Sequence, residues 1–597
     1  MDIVVCIKQA PIAAEAKFDP ATKRLVRDGV RLSISSIDRR ALLEALRLRG
    51  QTGGTVTALT MGPPQAKTAL LEVLAFGADR AVHLTDPAFA GSDTLATSRA
   101  LSAAIRKLKP DLVMCGKFTV DSETSQVPSE IAEMLDFPQV TGARVIKTTD
   151  DPKTLKIERE TDEGHEDYLL TVPGLISVTE LVISGRLPPT PEELAVAGQK
   201  PLLTWGLADI GLTAADVGEK GSPTRVAELR SAQLERAGRV INTDPEAAAK
   251  QVVEFMLEKG LFDPRQTGTK TSGPRRHVPT NPNPAKAVWV VAETAQGQLR
   301  GVSLEMLGKA QTLATRMGGE VAAVLIGGPN VSRFAPELAV YGADRIYIAE
   351  APSLAAYETA AYTEVLTAAI RTHKPAIVLM PSTTNGRDWA PRVAARLGVG
   401  LTGDCVDLDI DPNGDFAQIK PAFGGNIVAP IYTTTVPAMA TVRPGMLMAS
   451  EADRAVKPRI VPLDTNHGKA RVRVLEVVEE PGLAVTKLDN AQVVVGIGKG
   501  IGDPKNIPVV AELAQALDGS LAASLLVTSA KWVAPQLQLG LTGRALARAS
   551  TSASVCPAKP TTCSASAGPR TSSPSITTRK RLSSRAWTSA SSAIGRP

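Results

Sequence analysis

Through the first 548 residues, short runs of Val, Ile and Leu alternate with Ala-, Leu-, Glu- and Arg-rich stretches at helical spacing. Thr55-Val56-Thr57-Ala58-Leu59-Thr60-Met61 reads as a buried strand, and residues 65–75 after it as a helix. Buried strands alternating with helices predict α/β units around a parallel sheet. Three segments read as first strands of successive blocks: Ile3-Val4-Val5-Cys6-Ile7, Ala287-Val288-Trp289-Val290-Val291-Ala292 and Ala491-Gln492-Val493-Val494-Val495-Gly496. Pro/Gly/Thr-rich residues 263–286 read as a linker between the first two blocks. The charged stretch from about 452 to 490 reads as a connector to the third.

The first two blocks are copies of one unit. Gly77-Ala78-Asp79-Arg80 recurs 265 residues later as Gly342-Ala343-Asp344-Arg345. Leu101-Ser102-Ala103-Ala104-Ile105-Arg106-Lys107-Leu108-Lys109-Pro110 recurs at the same offset as Leu366-Thr367-Ala368-Ala369-Ile370-Arg371-Thr372-His373-Lys374-Pro375. Solenoid repeats are only about 20–50 residues long, so this spacing means duplicated domains.

Composition narrows the class. The formal charge of +6 invites a nucleic-acid reading, but residues 549–597 hold seven basic residues and no acid, leaving −1 for residues 1–548. The body has no basic stripe with interleaved aromatics, so nucleic-acid binding is not expected. No apolar run reaches the roughly 18 residues that cross a bilayer, and Asp2 stands where a signal peptide carries positive charge. The expected setting is cytoplasmic, without membrane insertion. Five cysteines, Cys6, Cys115, Cys405, Cys556 and Cys563, lack metal-ligand or disulfide-framework spacing. The five histidines are scattered, with no Ser/His/Asp grouping, HExxH or CxxC. Hydrolytic and metal chemistry are therefore not expected, and no catalytic side chain or metal ligand is assigned.

Two kinds of segment carry candidate chemistry. Gly496-Ile497-Gly498-Lys499-Gly500-Ile501-Gly502 joins a strand to the helix-like residues 507–517, and Gln538-Leu539-Gly540-Leu541-Thr542-Gly543 adds a second Gly-bearing loop. Such turns let the backbone approach a phosphate at a helix start, which suits a dinucleotide, or they serve simply as strand–helix turns. In the first repeat, polar residues 116–126 follow the strand 111–115 and open a helix, the usual nucleotide position in an open α/β sheet. The counterpart, Pro381-Ser382-Thr383-Thr384-Asn385-Gly386-Arg387-Asp388, is expected to have lost or changed that role, and helix capping by Ser and Asp explains single residues equally well.

Together these segments resemble the electron transfer flavoproteins, with both subunits in one chain. Residues 1–262 resemble the β subunit through Val4-Val5-Cys6-Ile7-Lys8-Gln9, Met61-Gly62-Pro63-Pro64-Gln65-Ala66, Phe89-Ala90-Gly91-Ser92-Asp93-Thr94-Leu95-Ala96-Thr97-Ser98 and Gly221-Ser222-Pro223-Thr224-Arg225-Val226. Residues 287–548 resemble the α subunit through Asn385-Gly386-Arg387-Asp388, Pro421-Ala422-Phe423-Gly424-Gly425-Asn426, Thr441-Val442-Arg443-Pro444-Gly445 and the Gly540-to-Gly543 loop. The resemblance implies two related nucleotide-binding-like domains, at 1–262 and 287–475, and a truncated FAD-binding domain at 490–548. It implies one redox FAD held by Gly498, Lys499, Gly500, Ser524, Gln538, Gly540, Thr542 and Gly543, the Thr542 hydroxyl facing the flavin N5. It also implies a second adenine nucleotide, AMP or a second FAD, at Ile7, Met61, Gly116, Asp121, Ser125 and Gln126. The family's Ser-Arg pair is here Ser524-Leu525, which removes a cation beside the ring and predicts an altered potential or weaker flavin binding.

The tail departs further. From about Ala549 it is mostly Ser, Thr, Ala, Pro and Arg, a composition expected to stay disordered. Ile576-Thr577-Thr578-Arg579-Lys580-Arg581-Leu582-Ser583-Ser584 can be encoded so that a one-base shift gives Asn-His-Asp-Pro-Glu-Ala-Pro-Ile-Phe, matching the family segment that binds the adenosine end of FAD. Residues 556–563 likewise back-read as Val-Pro-Gly-Gln-Ala-Asn-His-Leu. The reading is a frame shift near residues 546–549, in the gene or in the sequence record.

The expected function is electron carriage rather than substrate conversion. Acyl-CoA or other dehydrogenases, as in fatty acid beta-oxidation, would donate electrons, and a membrane quinone oxidoreductase would accept them. An electron-bifurcating variant is left open by residues 89–98. The resemblance adds a mobile third block and a docking arm around residues 188–200. The alternative is an adenine-nucleotide-binding scaffold without redox activity, because the flavin site is incomplete.

Overall fold

A computed structural model describes residues 1–11, 17–19, 24–26, 31–119, 121–227, 229–231, 244–258, 282–422, 427–453, 456–468, 471–479, 488, 491, 493–534, 537–539 and 551–555. The chain divides into two compact units: residues 1–232, 276–443 and 452–479 in one, and 233–275, 444–451 and 480–597 in the other. Both copies of the repeat belong to the first unit. Most of the linker expected at 263–286 lies outside the described residues; its end, Pro284–Lys286, is a single 3-10 turn.

The first copy runs β1 (Ile3–Cys6), α1 (Ser36–Thr52), β2 (Val56–Met61), α2 (Lys67–Phe76), β3 (Arg80–Leu84), α3 (Thr94–Leu108), β4 (Leu112–Gly116), α4 (Val127–Leu135), β5 (Gln139–Thr148), β6 (Thr154–Glu160), β7 (Gly164–Thr171), β8 (Gly174–Val178) and β9 (Leu202–Trp205). The second runs β10 (Val288–Ala292), α5 (Gly301–Met317), β11 (Val321–Gly327), β12 (Arg345–Glu350), α6 (Thr359–His373), β13 (Ile377–Pro381), α7 (Thr384–Leu397), β14 (Leu401–Cys405), β15 (Phe416–Ala422), β16 (Ile427–Thr433), β17 (Ala438–Val442), β18 (Ile460–Pro462) and β19 (Val472–Glu479). The parallel part of the first sheet has the order β9-β3-β2-β1-β4-β8-β5, and the second sheet has β18-β12-β11-β10-β13-β17-β14. Strand for strand, the two orders correspond. The duplication read from short identities is thus a duplication of topology.

The first three residues of the repeated Gly-Ala-Asp-Arg each have a local task. Gly77 and Gly342 turn out of the preceding helix at φ 126° and 117°, in backbone space that favours glycine. Ala78 and Ala343 are buried, while Asp79 and Asp344 accept hydrogen bonds from Val56 N and Val321 N, at the start of the neighbouring strand. Inside the first copy, Ile37, Ala41 and Leu70 from α1 and α2 join Val5 and Met114 in one core layer. Leu101, Ala104 and Ile131 from α3 and α4 join Val4, Val113 and Cys115 in the other. A sheet covered on both faces is what its continuous apolar strands demand.

The stretch from 452 to 490 is more than a connector. It contributes β18 to the second sheet and β19 to the first, where β19 pairs antiparallel with β7. Its alternation Val472, Val474, Glu476, Val478 was masked by charges because an edge strand needs only one covered face.

The second unit contains β20 (Val493–Ile497), α8 (Ile507–Ala516), β21 (Ser520–Ala523) and β22 (Thr551–Val555), in the parallel order β21-β20-β22. Strand β22 corrects the expectation of a tail unstructured from Ala549. Sheet pairing uses backbone groups, and Thr551-Ser552-Ala553-Ser554-Val555 has no proline to interrupt it. Residues 556–597 lie outside the described residues. No described helix is long and apolar enough to cross a membrane.

Candidate functional site

The first sheet reverses its winding between β1 and β4, and ligands of open α/β sheets bind outside the carboxyl ends of strands at such a point. Ile7, Lys8 and Gly116 emerge there. Asp38, in the first turn of α1, clamps both strand ends by accepting hydrogen bonds from Lys8 N at 2.9 Å and Gly116 N at 3.1 Å. A Cβ at position 116 would stand 2.4 Å from Asp38 Oδ1, so only glycine fits. Burial pushes the Asp38 carboxyl up to about 7.

The loop beyond Gly116 is built of charges and bends. Lys8 Nζ lies 2.7 Å from Asp121 Oδ2, and Thr119 Oγ1 donates to Asp121 Oδ1 at 2.7 Å. Burial works against Asp121, yet Lys8 and Thr119 hold its carboxyl below the ordinary range. Glu123 and Ser125 are left-handed, at φ 49° and 57°. Such backbone costs on the order of 1–3 kcal/mol at a non-glycine residue. Gln126 is spent on structure: Oε1 accepts from Thr94 Oγ1 and Nε2 donates to Leu401 O of the second copy. Ser125 differs. It is 9 % exposed and its Oγ has no hydrogen-bond partner. Helix α4 then starts without a side-chain cap, leaving its first N–H donors for another group. Met61, at the end of β2, packs half-buried on the same side of the sheet. A buried orphan hydroxyl beside an uncapped helix start fits a phosphate-bearing nucleotide.

The equivalent place in the second copy is filled. Only Ser382 and Thr383 separate β13 from α7. Thr383 Oγ1 caps Gly386 N and donates to Glu293 Oε2 at 2.7 Å. Asp162 of the first copy accepts from Thr384 N at 3.0 Å and Thr384 Oγ1 at 2.9 Å, so a carboxylate already occupies the helix start. The Asn385-Gly386-Arg387-Asp388 segment joins the copies instead. Asp388 accepts from Gln139 Nε2 at 2.8 Å, Thr141 Oγ1, Tyr357 OH at 2.6 Å and Thr359 Oγ1, while Arg159 Nη1 donates to Asn385 Oδ1 at 2.9 Å. Sequence analysis missed the first-copy partners Gln139, Thr141 and Arg159, which lie more than two hundred residues away along the chain.

Beside the loop at residues 116–126, β14 presents Gly403 and Asp404. A Cβ at Gly403 would meet Gln126 Nε2 at 3.0 Å and Thr124 O at 3.1 Å, so the loop lies against this strand. Asp404, 3 % exposed, pairs with Arg387 Nη2 at 2.8 Å and with Arg443, while Lys420 Nζ donates to Gly403 O at 2.9 Å. Burial opposes its ionisation, but Arg387 and Arg443 hold Asp404 far below the usual carboxylate range. Burial raises Glu123 despite the nearby Lys420.

Glu130 on α4 gives a pH-dependent prediction. It is buried, accepts from Ser98 Oγ at 2.7 Å and Thr94 Oγ1 at 3.0 Å, and burial pushes it up to about 8. Folded protein keeps a proton that the unfolded chain releases above the ordinary glutamate value of 4.5, so stability falls as pH rises through that window. Glu130→Gln is therefore expected to leave the melting temperature near that of the parent at acidic pH and raise it above pH 8, checked by calorimetry at both ends.

In the second unit, the carboxyl ends of β20 and β21 gather most of the other set. Gly498, Lys499 and Gly500 follow β20, and Ser524 N bonds Ile497 O at 2.8 Å. Gln538 forms a parallel bridge with Ala523, and its Oε1 accepts from Thr528 Oγ1 at 2.8 Å. Lys499 Nζ sits 4.0 Å above the Trp532 ring. Ser524 precedes the short helix Leu525–Ser529 without capping it, so its hydroxyl is not committed to that helix. Gly540, Thr542 and Gly543 lie outside the described residues. The glycine turn and the uncommitted Ser524 hydroxyl, at the strand ends where open sheets bind ligands, fit a flavin nucleotide.

Among the described residues, Glu158, His165 and Asp167 stand close enough to share an ion, but Glu158 already pairs with Arg144 and Asp167 with Lys156. Comparison with known proteins agrees with the topology. The model described as the electron transfer flavoprotein domain matches residues 22–194 and again 288–467, and the electron transfer flavoprotein FAD-binding domain matches 487–550. The electron transfer flavoprotein subunit beta of Clostridium acetobutylicum is 42% identical over 260 residues, 43% of this chain and 99% of that protein. Subunit alpha of Thermoanaerobacterium thermosaccharolyticum is 38% identical over 265 residues, 44% of this chain and 80% of that protein. Protein FixA of Azotobacter vinelandii is 41% identical over 235 residues, 38% of this chain and 83% of that protein.

Proposed function

Since the chain belongs to the electron transfer flavoproteins, with β-type and α-type halves in one polypeptide, we propose that it carries electrons from dehydrogenases to a downstream acceptor such as a membrane quinone oxidoreductase. The observation that carries this reading is the FAD-binding domain match over the strand ends where Gly498, Lys499, Ser524 and Gln538 converge. FAD, when bound, supplies one- and two-electron chemistry. The chain supplies orientation and field. The glycine turn would admit the pyrophosphate, Ser524 and Gln538 would hold polar edges, and Lys499, withdrawn onto Trp532, is a cation within the same set.

The first-copy loop is proposed as the seat of AMP or a second FAD, supported by the orphan Ser125 hydroxyl and the glycine-only clamp at Gly116. A second FAD would suit an electron-bifurcating carrier. Donor docking is proposed at residues 188–200, where Thr190 closes a capping box on the helix Pro191–Ala197 and Leu187 and Val196 stand 83% and 61% exposed. Acyl-CoA dehydrogenases of fatty acid beta-oxidation, in the cytoplasm, are the proposed donors.

Gly116→Ala tests the division of sites. Its Cβ would break the Asp38 clamp, so chromatography of the nucleotides released from the purified chains is expected to show flavin and a second adenine nucleotide from the parent, and flavin alone from the variant. Retention of both would place the second nucleotide elsewhere. One observation favours the non-redox scaffold: the FAD-domain match stops at residue 550, just where the composition changes.

A further inference from the structure

Two cysteines far apart in sequence meet under the nucleotide loop. β1 and β4 pair in parallel, Ile3 opposite Leu112, Val4 opposite Val113 and Val5 opposite Met114. One step further sets Cys6 opposite Cys115. Both thiols pack in the core layer that holds Val4 and Val113, whereas Val5 and Met114 face the other layer, so Cys6 and Cys115 share a face of the sheet. Neighbouring strands lie about 4.8 Å apart, within the Cα separation that a disulfide spans. Both cysteines are free thiols; Cys6 is half-buried at the open end of its strand and Cys115 is 4 % exposed. A hydrogen bond to Cys6, with burial added, raises the Cys115 thiol. Cys6 is therefore the thiol an oxidant meets first, and Cys115 stands ready as the resolving partner.

We propose that Cys6 and Cys115 form a redox-active dithiol that closes to a disulfide on exposure to a peroxide. Cys6 gives its proton to solvent, its thiolate attacks one oxygen of hydrogen peroxide, the O–O bond breaks, and Cys6 becomes a sulfenic acid while the leaving hydroxide takes up a proton as water. The Cys115 sulfur then attacks the Cys6 sulfur, the S–O bond breaks, and a second water leaves with the thiol proton. The two cysteines lose two electrons and the peroxide gains them.

Closure acts on the loop because the next residue along each strand belongs to it. Gly116 follows Cys115, and Ile7 and Lys8 follow Cys6; Asp38 holds both backbones. A disulfide brings its Cβ atoms to about 3.8 Å, closer than neighbouring strands set them, so closure pulls the two ends together beneath Lys8 and Gly116. The loss of nucleotide affinity predicted below rests on the nucleotide reading of this loop; the dithiol does not.

The test uses the full chain carrying Cys556→Ser and Cys563→Ser. After treatment with stoichiometric hydrogen peroxide and alkylation, mass mapping is expected to show the Cys6 and Cys115 peptides joined, two hydrogens lighter than their sum and separated by dithiothreitol. In Cys115→Ser, Cys6 is expected to run on to sulfinic acid. Sulfinic acid at Cys6 with Cys115 still alkylatable in the parent would overturn the proposal. AMP affinity, measured by calorimetry, is expected to fall at least tenfold in the oxidised chain and recover on reduction. Unchanged affinity in a fully linked chain would overturn the coupling to the loop. Binding of neither AMP nor a second FAD to either form would instead refute the nucleotide reading, leaving the dithiol to stand on the linked mass.

Discussion

Asp404→Ala is expected to lower the stability of the repeat-containing unit by about 3–5 kcal/mol, the usual result of removing one partner from a buried ion pair. Buried Lys420 and the partly buried Arg387 and Arg443 would lose this carboxylate, and burial has raised the nearby Glu123 carboxyl towards its neutral form. Ser382 Oγ, which donates to Asp404 Oδ1 at 3.1 Å, would lose its acceptor too. The sign with pH follows from the direction of the shift. A carboxyl held below its ordinary range contributes stability that is present above the ordinary aspartate value of 3.8 and is lost as pH falls below it. The parent should therefore lose stability in acid more steeply than Asp404→Ala, and calorimetric melting across pH 3–7 checks both slope and size. Because the neighbouring Gly403 lies against Thr124 and Gln126, the variant is also expected to weaken binding at the proposed first-copy nucleotide site.

The second large effect concerns the tail. A chain whose codons from about Leu546 are read in the shifted frame is expected to bind FAD at least tenfold more tightly than the chain with the present tail. The shifted reading supplies Asn-His-Asp-Pro-Glu-Ala-Pro-Ile-Phe where the present residues 576–584 are basic and hydroxyl-rich. The FAD-domain match ends at 550, and the alpha subunit of Thermoanaerobacterium thermosaccharolyticum is covered over only 80% of its length. Strand β22 does not weaken this expectation, since parallel pairing with β20 needs only backbone groups. Flavin fluorescence titration of both chains decides it. Codons incompatible with the shifted frame, or equal affinities, would remove the frame shift from the account.

The sheets and their duplication were legible because they depend on local rules. A buried parallel strand must be continuously apolar, and Gly77, Asp79, Gly342 and Asp344 each answer a turn or a strand-end donor that any copy must satisfy. The loop at residues 116–126 was legible for the same reason, as a polar run placed between a strand end and a helix start. What joins the two copies was not. Gln139 with Asp388, Asp162 with Thr384 and Gln126 with Leu401 meet only after both copies fold, and no spacing in the sequence announces them. Cys6 and Cys115 escaped for a related reason: their pairing is set by strand register, while sequence spacing suggested no framework at all. The left-handed backbone at Glu123 and Ser125 also went unread, because neither residue type signals it.

Leu525 leaves the flavin without the cation that the resemblance places beside it, so cofactor content is the point on which carrier and scaffold part. The direct measurement is the absorbance spectrum of the purified full-length chain together with the molar ratio of released FAD. The account predicts a yellow protein with near-stoichiometric FAD that bleaches on anaerobic reduction and recovers in air. A colourless chain that retains only AMP, and takes up no FAD when it is supplied, would contradict it.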